Sequence, residues 1–145
     1  MTVESRFECP ARMANLSQAT AFAEAFCATH QVSSVDGLRL ALVLEELFTN
    51  TVMHGHGGDG AAPLRIGLRV ESSQIILRYE DTAPRFDPLA HLAQAAVRVD
   101  EEIANRPAGW LGLRLVVNLA SSVSYRREDG LNLLQLTLPR QDRQG

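Results

Sequence analysis

No stretch of this chain stays apolar for the about 20 residues that a membrane-spanning helix needs, and its first residues lack the apolar core of a signal peptide. A membrane protein is therefore not expected. Basic runs are also missing, and 14 Lys plus Arg against 17 Asp plus Glu leave a formal charge of -3. That balance gives no electrostatic case for direct nucleic-acid binding. Cysteine is scarce: Cys9 and Cys27 form neither a CxxC pair nor a metal-ligand spacing. They read as two reduced, mostly packed thiols of a cytoplasmic protein. Internal repeats are absent. What remains is 145 residues, 46% of them hydrophobic, enough for one domain (residues 1–145) with its own core.

The chain is organised around Leu38–His54, a helix-like stretch running into the glycine-rich segment Gly55–Gly60. Leu40, Leu44, Leu47 and Thr51 have helical spacing and form the expected core face. Glu46, Asn50 and His54 follow one another at steps of four, each step rotating about 40°, so they form a stripe. A carboxylate, an amide and an imidazole on one side of an apolar helix are costly to bury unsatisfied, which points to a lined pocket. An isolated Glu-x-x-x-Asn faces solvent more often than not, so the stripe needs support from the rest of the chain.

Val3 to Cys9 is compatible with a first strand, ended by Pro10. Asn15 and Gln18 resemble a capping box for a helix whose face is Ala19, Phe22, Ala23, Phe26, Cys27 and His30. Ser33 and Asp36 offer a cap for the central helix. Leu64 to Val70 alternates as a strand, Glu71–Gln74 turns, and Ile75 to Glu80 returns. The turn-rich segment Asp81–Pro88 precedes a short helix over Leu89–Val97 and a polar loop over Asp100–Ala108. Gly109–Gly112 opens another helix, followed by a hairpin of Val123–Arg127 and Leu131–Leu138 around Glu128-Asp129-Gly130. Gln141–Gly145 reads as a frayed tail. The order predicts an α+β fold, a two-layer α/β sandwich with helices on one face of a mixed, largely antiparallel sheet.

Three separated features fall in one order: Glu46-x-x-x-Asn50 on a helix, Asp81-x-Ala83 at a strand end, and Gly109-x-x-Gly112 opening a helix. This set resembles the N box and two glycine boxes of the GHKL (Bergerat-fold) ATPase superfamily. Asp81–Pro88, Gly109–Val116 and Tyr125–Gly130 resemble its anti-sigma factor serine/threonine kinase branch most, and the likeness covers nearly the whole chain. The resemblance implies that Asn50 holds Mg²⁺ through its side-chain oxygen and that Glu46 accepts the proton of an attacking hydroxyl. Glu45 points about 100° away, which favours Glu46. Asp81 would accept from the adenine amino group. Gly109 and Gly112 would let backbone N–H groups approach phosphate. His54 is placed near the phosphates or bonded to backbone at the helix end. Arg114 reaches a phosphate or a surface carboxylate. Ala83 and Trp110 stand where the family usually has glycine; if φ at Ala83 were positive, its methyl would cost on the order of 1 kcal/mol.

By resemblance, the function implied is an ATP- and Mg²⁺-dependent anti-sigma regulatory factor that phosphorylates a STAS-domain antagonist and holds a sigma factor or equivalent target. Homodimers are usual in that branch. The alternative is a nucleotide-responsive binding module of the same fold without phosphoryl transfer. A sensor histidine kinase half lacks an upstream phospho-acceptor helix pair. A metal hydrolase built on His54, His56 and Asp59 would rest on a glycine-rich loop that offers no rigid ligand geometry.

Overall fold

The computed structural model describes residues 3–90 and 110–140. Among them five strands form one sheet: β1 (Ser5–Pro10), β2 (Pro63–Glu71), β3 (Gln74–Asp81), β4 (Ser122–Glu128) and β5 (Leu131–Pro139), in the spatial order β1-β2-β3-β5-β4. Every pairing among the described strands is antiparallel, in keeping with the largely antiparallel sheet expected. Helices α1 (Leu16–Thr29), α2 (Ser34–Thr49) and α3 (Trp110–Leu119) supply the second layer of an α+β sandwich.

Period-two alternation explains the strands. Leu64, Ile66 and Leu68 of β2, Ile75, Leu77 and Tyr79 of β3, and Leu136 and Leu138 of β5 share the inner face and are buried. Against them pack Ala19, Ala23 and Phe26 of α1, Leu40, Val43, Leu44, Leu47 and Phe48 of α2, and Val116 of α3. The outer face carries arginine and glutamate in reciprocal ion pairs, such as Arg65 with Glu8 at 2.7 Å and Arg78 with Glu4 at 3.0 Å. The β4–β5 turn holds Asp129 at φ 52° and Gly130 at φ 79°, the left-handed pair that a two-residue hairpin loop requires.

Several boundaries differ from expectation. The central helix starts at Ser34, capped by Ser33 Oγ, which accepts from the Asp36 N–H at 3.1 Å. Leu38 is therefore well inside the helix, yet 62% exposed. At Asn50 the helix widens into a π turn over Asn50–Gly55, so the Leu38–His54 stretch is not one uniform helix. Asn15 and Gln18 bond side chain to side chain at 2.8 Å and make no side-chain cap, so no capping box forms. Val3 lies before β1 and is exposed, whereas Cys9 is buried. Residues 88–90 are helical. The remainder of the helix expected to Val97, the polar loop to Ala108 and the tail from Gln141 lie outside the described residues.

The register of α2 has a direct test. Phe48 is fully buried and Leu38 is not. Phe48→Ala should destabilise the protein by about 3–5 kcal/mol, and Leu38→Ala by less than about 0.5 kcal/mol, in urea unfolding. Equal losses would place the helix in a different register.

Candidate functional site

The end of α2, the exit from β3 and the inner face of β5 enclose a cavity of about 530 Å³. Asn50, Thr51, Met53, His54 and Gly55 line it from the α2 side, with Tyr79, Asp81 and Ala83 from β3 and its exit, Leu113 from α3, and Asn132 and Leu134 from β5. Its size suits a small organic ligand. A second cavity of about 500 Å³ lies on the outer sheet face, where its arginines and glutamates satisfy one another as ion pairs.

Asp81 is the chemical centre of the first cavity. It is the last residue of β3, faces inward and is 8% exposed. Its carboxylate accepts from Thr51 Oγ1 at 2.7 Å, from Asn132 Nδ2 at 2.8 Å and from the Ala83 N–H at 3.1 Å. A carboxylate has about four lone-pair sites, so these donors leave acceptor capacity for one more N–H. Thr51 has a single proton, and giving it to Asp81 makes the Tyr79 hydroxyl, 2.7 Å away, the donor to Thr51. Burial pushes the Tyr79 phenol well above its ordinary pKa and keeps that proton in place. The Leu47 carbonyl at 3.0 Å is the competing acceptor for Thr51.

The π turn re-aims the stripe. Here the His56 N–H bonds the Thr51 carbonyl five residues back, at 2.9 Å. Asn50 lines the cavity, and its Nδ2 is buried without a partner among the described residues. His54 is exposed at the cavity wall. Glu46 is half-buried while Glu45 is exposed. The Glu46 carboxylate lies against Gly112 in the first turn of α3, where a Cβ would overlap it. Glu46 and Gly112 do not themselves line the cavity, although Asn50 and Leu113 beside them do. Arg114 is exposed on α3 and also outside the lining. Gly109 lies outside the described residues, as do the side chains of Trp110 and Leu111. Asp59 accepts from the Met13 N–H at 2.9 Å, which holds the glycine-rich loop against the start of the chain.

Ala83 is buried and is not among the residues with positive φ, so the strain considered for its methyl does not arise. Its methyl instead fills the space beside Gly55, where an added Cβ would stand 2.8 Å away. Helical spacing marks Thr51 only as core, no motif marks Tyr79 or Asn132, and Tyr125 and Arg127 carry no individual role within the Tyr125–Gly130 resemblance. A signal existed for Asn132: it falls in phase with Leu134, Leu136 and Leu138, a lone amide on a core face.

These features define a class. The sequence model of the histidine kinase-like ATPase domain family matches residues 9–138, and the chain belongs to that family. Among curated proteins it is 30% identical over 98 residues to the serine/threonine-protein kinase BtrW of Bordetella bronchiseptica, covering 68% of this chain and 67% of that one. Among solved structures it resembles a chain of the SiaB–SiaC complex from Pseudomonas aeruginosa, with TM-score 0.62 and 13% identity. That match covers 92% of this chain and 88% of the other, and it speaks for the fold. No described helix is long and apolar enough to cross a membrane.

The Gly55–Ala83 contact predicts a reciprocal pair. Gly55→Ala should destabilise the protein and weaken ligand binding, because two methyl groups would compete for one space. Ala83→Gly should not tighten binding, and adding it to Gly55→Ala should recover about 0.5–3 kcal/mol in a double-mutant cycle of unfolding free energies. Additive effects would refute the contact.

Proposed function

We propose that this histidine kinase-like ATPase domain is an anti-sigma regulatory factor with protein serine/threonine kinase activity. The observation that carries the reading is the convergence of Asp81, with spare acceptor capacity, and Asn50, with an unpartnered amide nitrogen, on one cavity. Asp81 would accept from the adenine amino group, with the base seated among Met53, Ala83, Phe86 and Leu134. The curated relative named as a serine/threonine kinase supports the activity.

The residues present also fit Mg²⁺. A hard cation that keeps several waters needs few protein oxygens, and the Asn50 side chain at the cavity wall, whose buried nitrogen has no partner among the described residues, can offer its carbonyl oxygen. Asn50 would hold it, and the ion would supply charge neutralisation on the phosphates. Glu46, one turn before Asn50, would accept the proton of a serine hydroxyl. The serine oxygen then bonds to the γ-phosphorus as the bond to the ADP oxygen breaks, giving phosphoserine and ADP. By the family resemblance His54, Gly109, Gly112 and Arg114 would serve the phosphates.

The substrate we infer, from the family resemblance, is a serine on a STAS-domain antagonist. About two added negative charges in that interface would release the antagonist and free the domain for a sigma factor or equivalent target. By the same resemblance the working unit is a homodimer in the cytoplasm. A second reading, a nucleotide-responsive binding module without transfer, is favoured by one observation: Glu46 is lodged against Gly112 and does not line the cavity.

Mg·ATP should raise the melting temperature of the wild-type protein, since a ligand bound only by the native state stabilises it. Asp81→Asn should reduce that shift and blur the preference for adenine over guanine. Asn50→Ala should lose the Mg²⁺-dependent part of binding. Glu46→Gln should keep ATP binding but lose single-turnover transfer to an antagonist serine, read by intact mass. Wild-type protein that binds ATP and antagonist yet transfers nothing would establish the module instead.

A further inference from the structure

We propose that Asn132 is a positioning residue for nucleobase recognition: backed by Arg127 and Tyr125, its amide fixes the Asp81 carboxylate and the 81–86 segment. The inference rests on reading the cavity as the nucleotide site.

Asn132 stands directly opposite Asp81 in the β3–β5 ladder and is buried. Its Nδ2 faces three acceptors: Asp81 Oδ1 at 2.8 Å, the Ala83 carbonyl at 3.0 Å and the Pro84 carbonyl at 3.1 Å. Its Oδ1 faces three donors: the Tyr125 hydroxyl at 2.6 Å, Arg127 Nη1 at 3.2 Å and the Phe86 N–H at 3.3 Å. Turning the amide over would set its oxygen against three acceptors and its nitrogen against three donors. One orientation is therefore dictated by its surroundings.

The same amide acts on both parts of the site. It holds one oxygen of Asp81, while Thr51 holds the other. It also binds the backbone of the β3 exit at Ala83, Pro84 and Phe86, in a segment that lines the cavity. Arg127 reinforces the clamp by donating to the Ala83 carbonyl at 2.7 Å as well as to Asn132. The Arg127 guanidinium polarises the Asn132 amide and strengthens its bond to Asp81, as in any chain of coupled hydrogen bonds. Tyr125, half-buried under the Arg85 guanidinium 5.9 Å above its ring, completes the support. Both protons and both lone pairs of the amide are engaged within the protein, so it works through Asp81 and not by touching the base.

Asn132→Asp keeps the shape and replaces the donor with an acceptor facing Asp81. Dissociation constants for ADP and GDP with Mg²⁺ should be measured for wild type and variant between pH 5.5 and 8. At pH 8 the variant should bind ADP at least about tenfold more weakly, with a narrowed ADP-over-GDP preference. On acidification the variant-to-wild-type ratio for ADP should move back toward one, because facing carboxylates share a proton and so regain the missing donor. Arg127→Gln and Tyr125→Phe, which each remove one support without adding a charge, should narrow the preference by less. Unchanged affinity and preference in all three variants would overturn the inference alone. So would equal weakening of ADP and GDP without recovery at low pH, which marks a merely structural role. Wild-type protein that binds neither nucleotide would overturn the nucleotide-site reading and this inference with it.

Discussion

A carboxylate held almost out of water must be satisfied by the protein around it, and at Asp81 that requirement ties the architecture together. An unpaired buried charge costs several kcal/mol, and a hydrogen bond to a charged group contributes about 1.5–3 kcal/mol. The three donors to Asp81 come from three places: Thr51 beyond the end of α2, Ala83 on the β3 exit and Asn132 on β5. The helix layer and the sheet layer therefore meet at one group. The π turn belongs to the same arrangement, since Thr51 sits at its start with Tyr79 and Asp81 on its hydroxyl.

Around that centre, elements come close where one partner has no side chain. Gly55 receives the methyl of Ala83, and Gly112 leaves room for the carboxylate of Glu46. In both cases the glycine's smallness matters and its backbone freedom does not, because neither has a positive φ. The methyl of Ala83 thus occupies the space that a side chain at position 55 would need. The approach of α3 to α2 likewise fixes where the Glu46 carboxylate lies.

The chain contains no lysine, and all 14 basic residues are arginine. Planar guanidinium groups act here as rigid staples more than as point charges. Arg127 joins β4 to the β3 exit, Arg78 takes both oxygens of Glu4 at 3.0 and 3.2 Å, and Arg140 reaches the Gln31 carbonyl past the end of α1 at 2.9 Å. Among the described cavity-lining residues the basic side chains are His54 and Arg85.

The sequence by itself determined the order of the described elements, the antiparallel hairpins, the Ser33 cap, the Asp129-Gly130 turn and the place of Asp81 at a strand end. Each depends on a residue and its near neighbours, through helical or strand periodicity and local turn chemistry. It also placed Glu46 and Asn50 about one turn apart, because that spacing is local. Only the tertiary structure decided which buried polar groups satisfy one another. The role of Thr51 beside Tyr79 and Asp81, the filling of Gly55 by Ala83 and the hold of Asn132 on Asp81 join residues 28 to 51 positions apart. No local period encodes such pairings. They follow from which donor and acceptor the folded layers bring within hydrogen-bond distance once water is excluded.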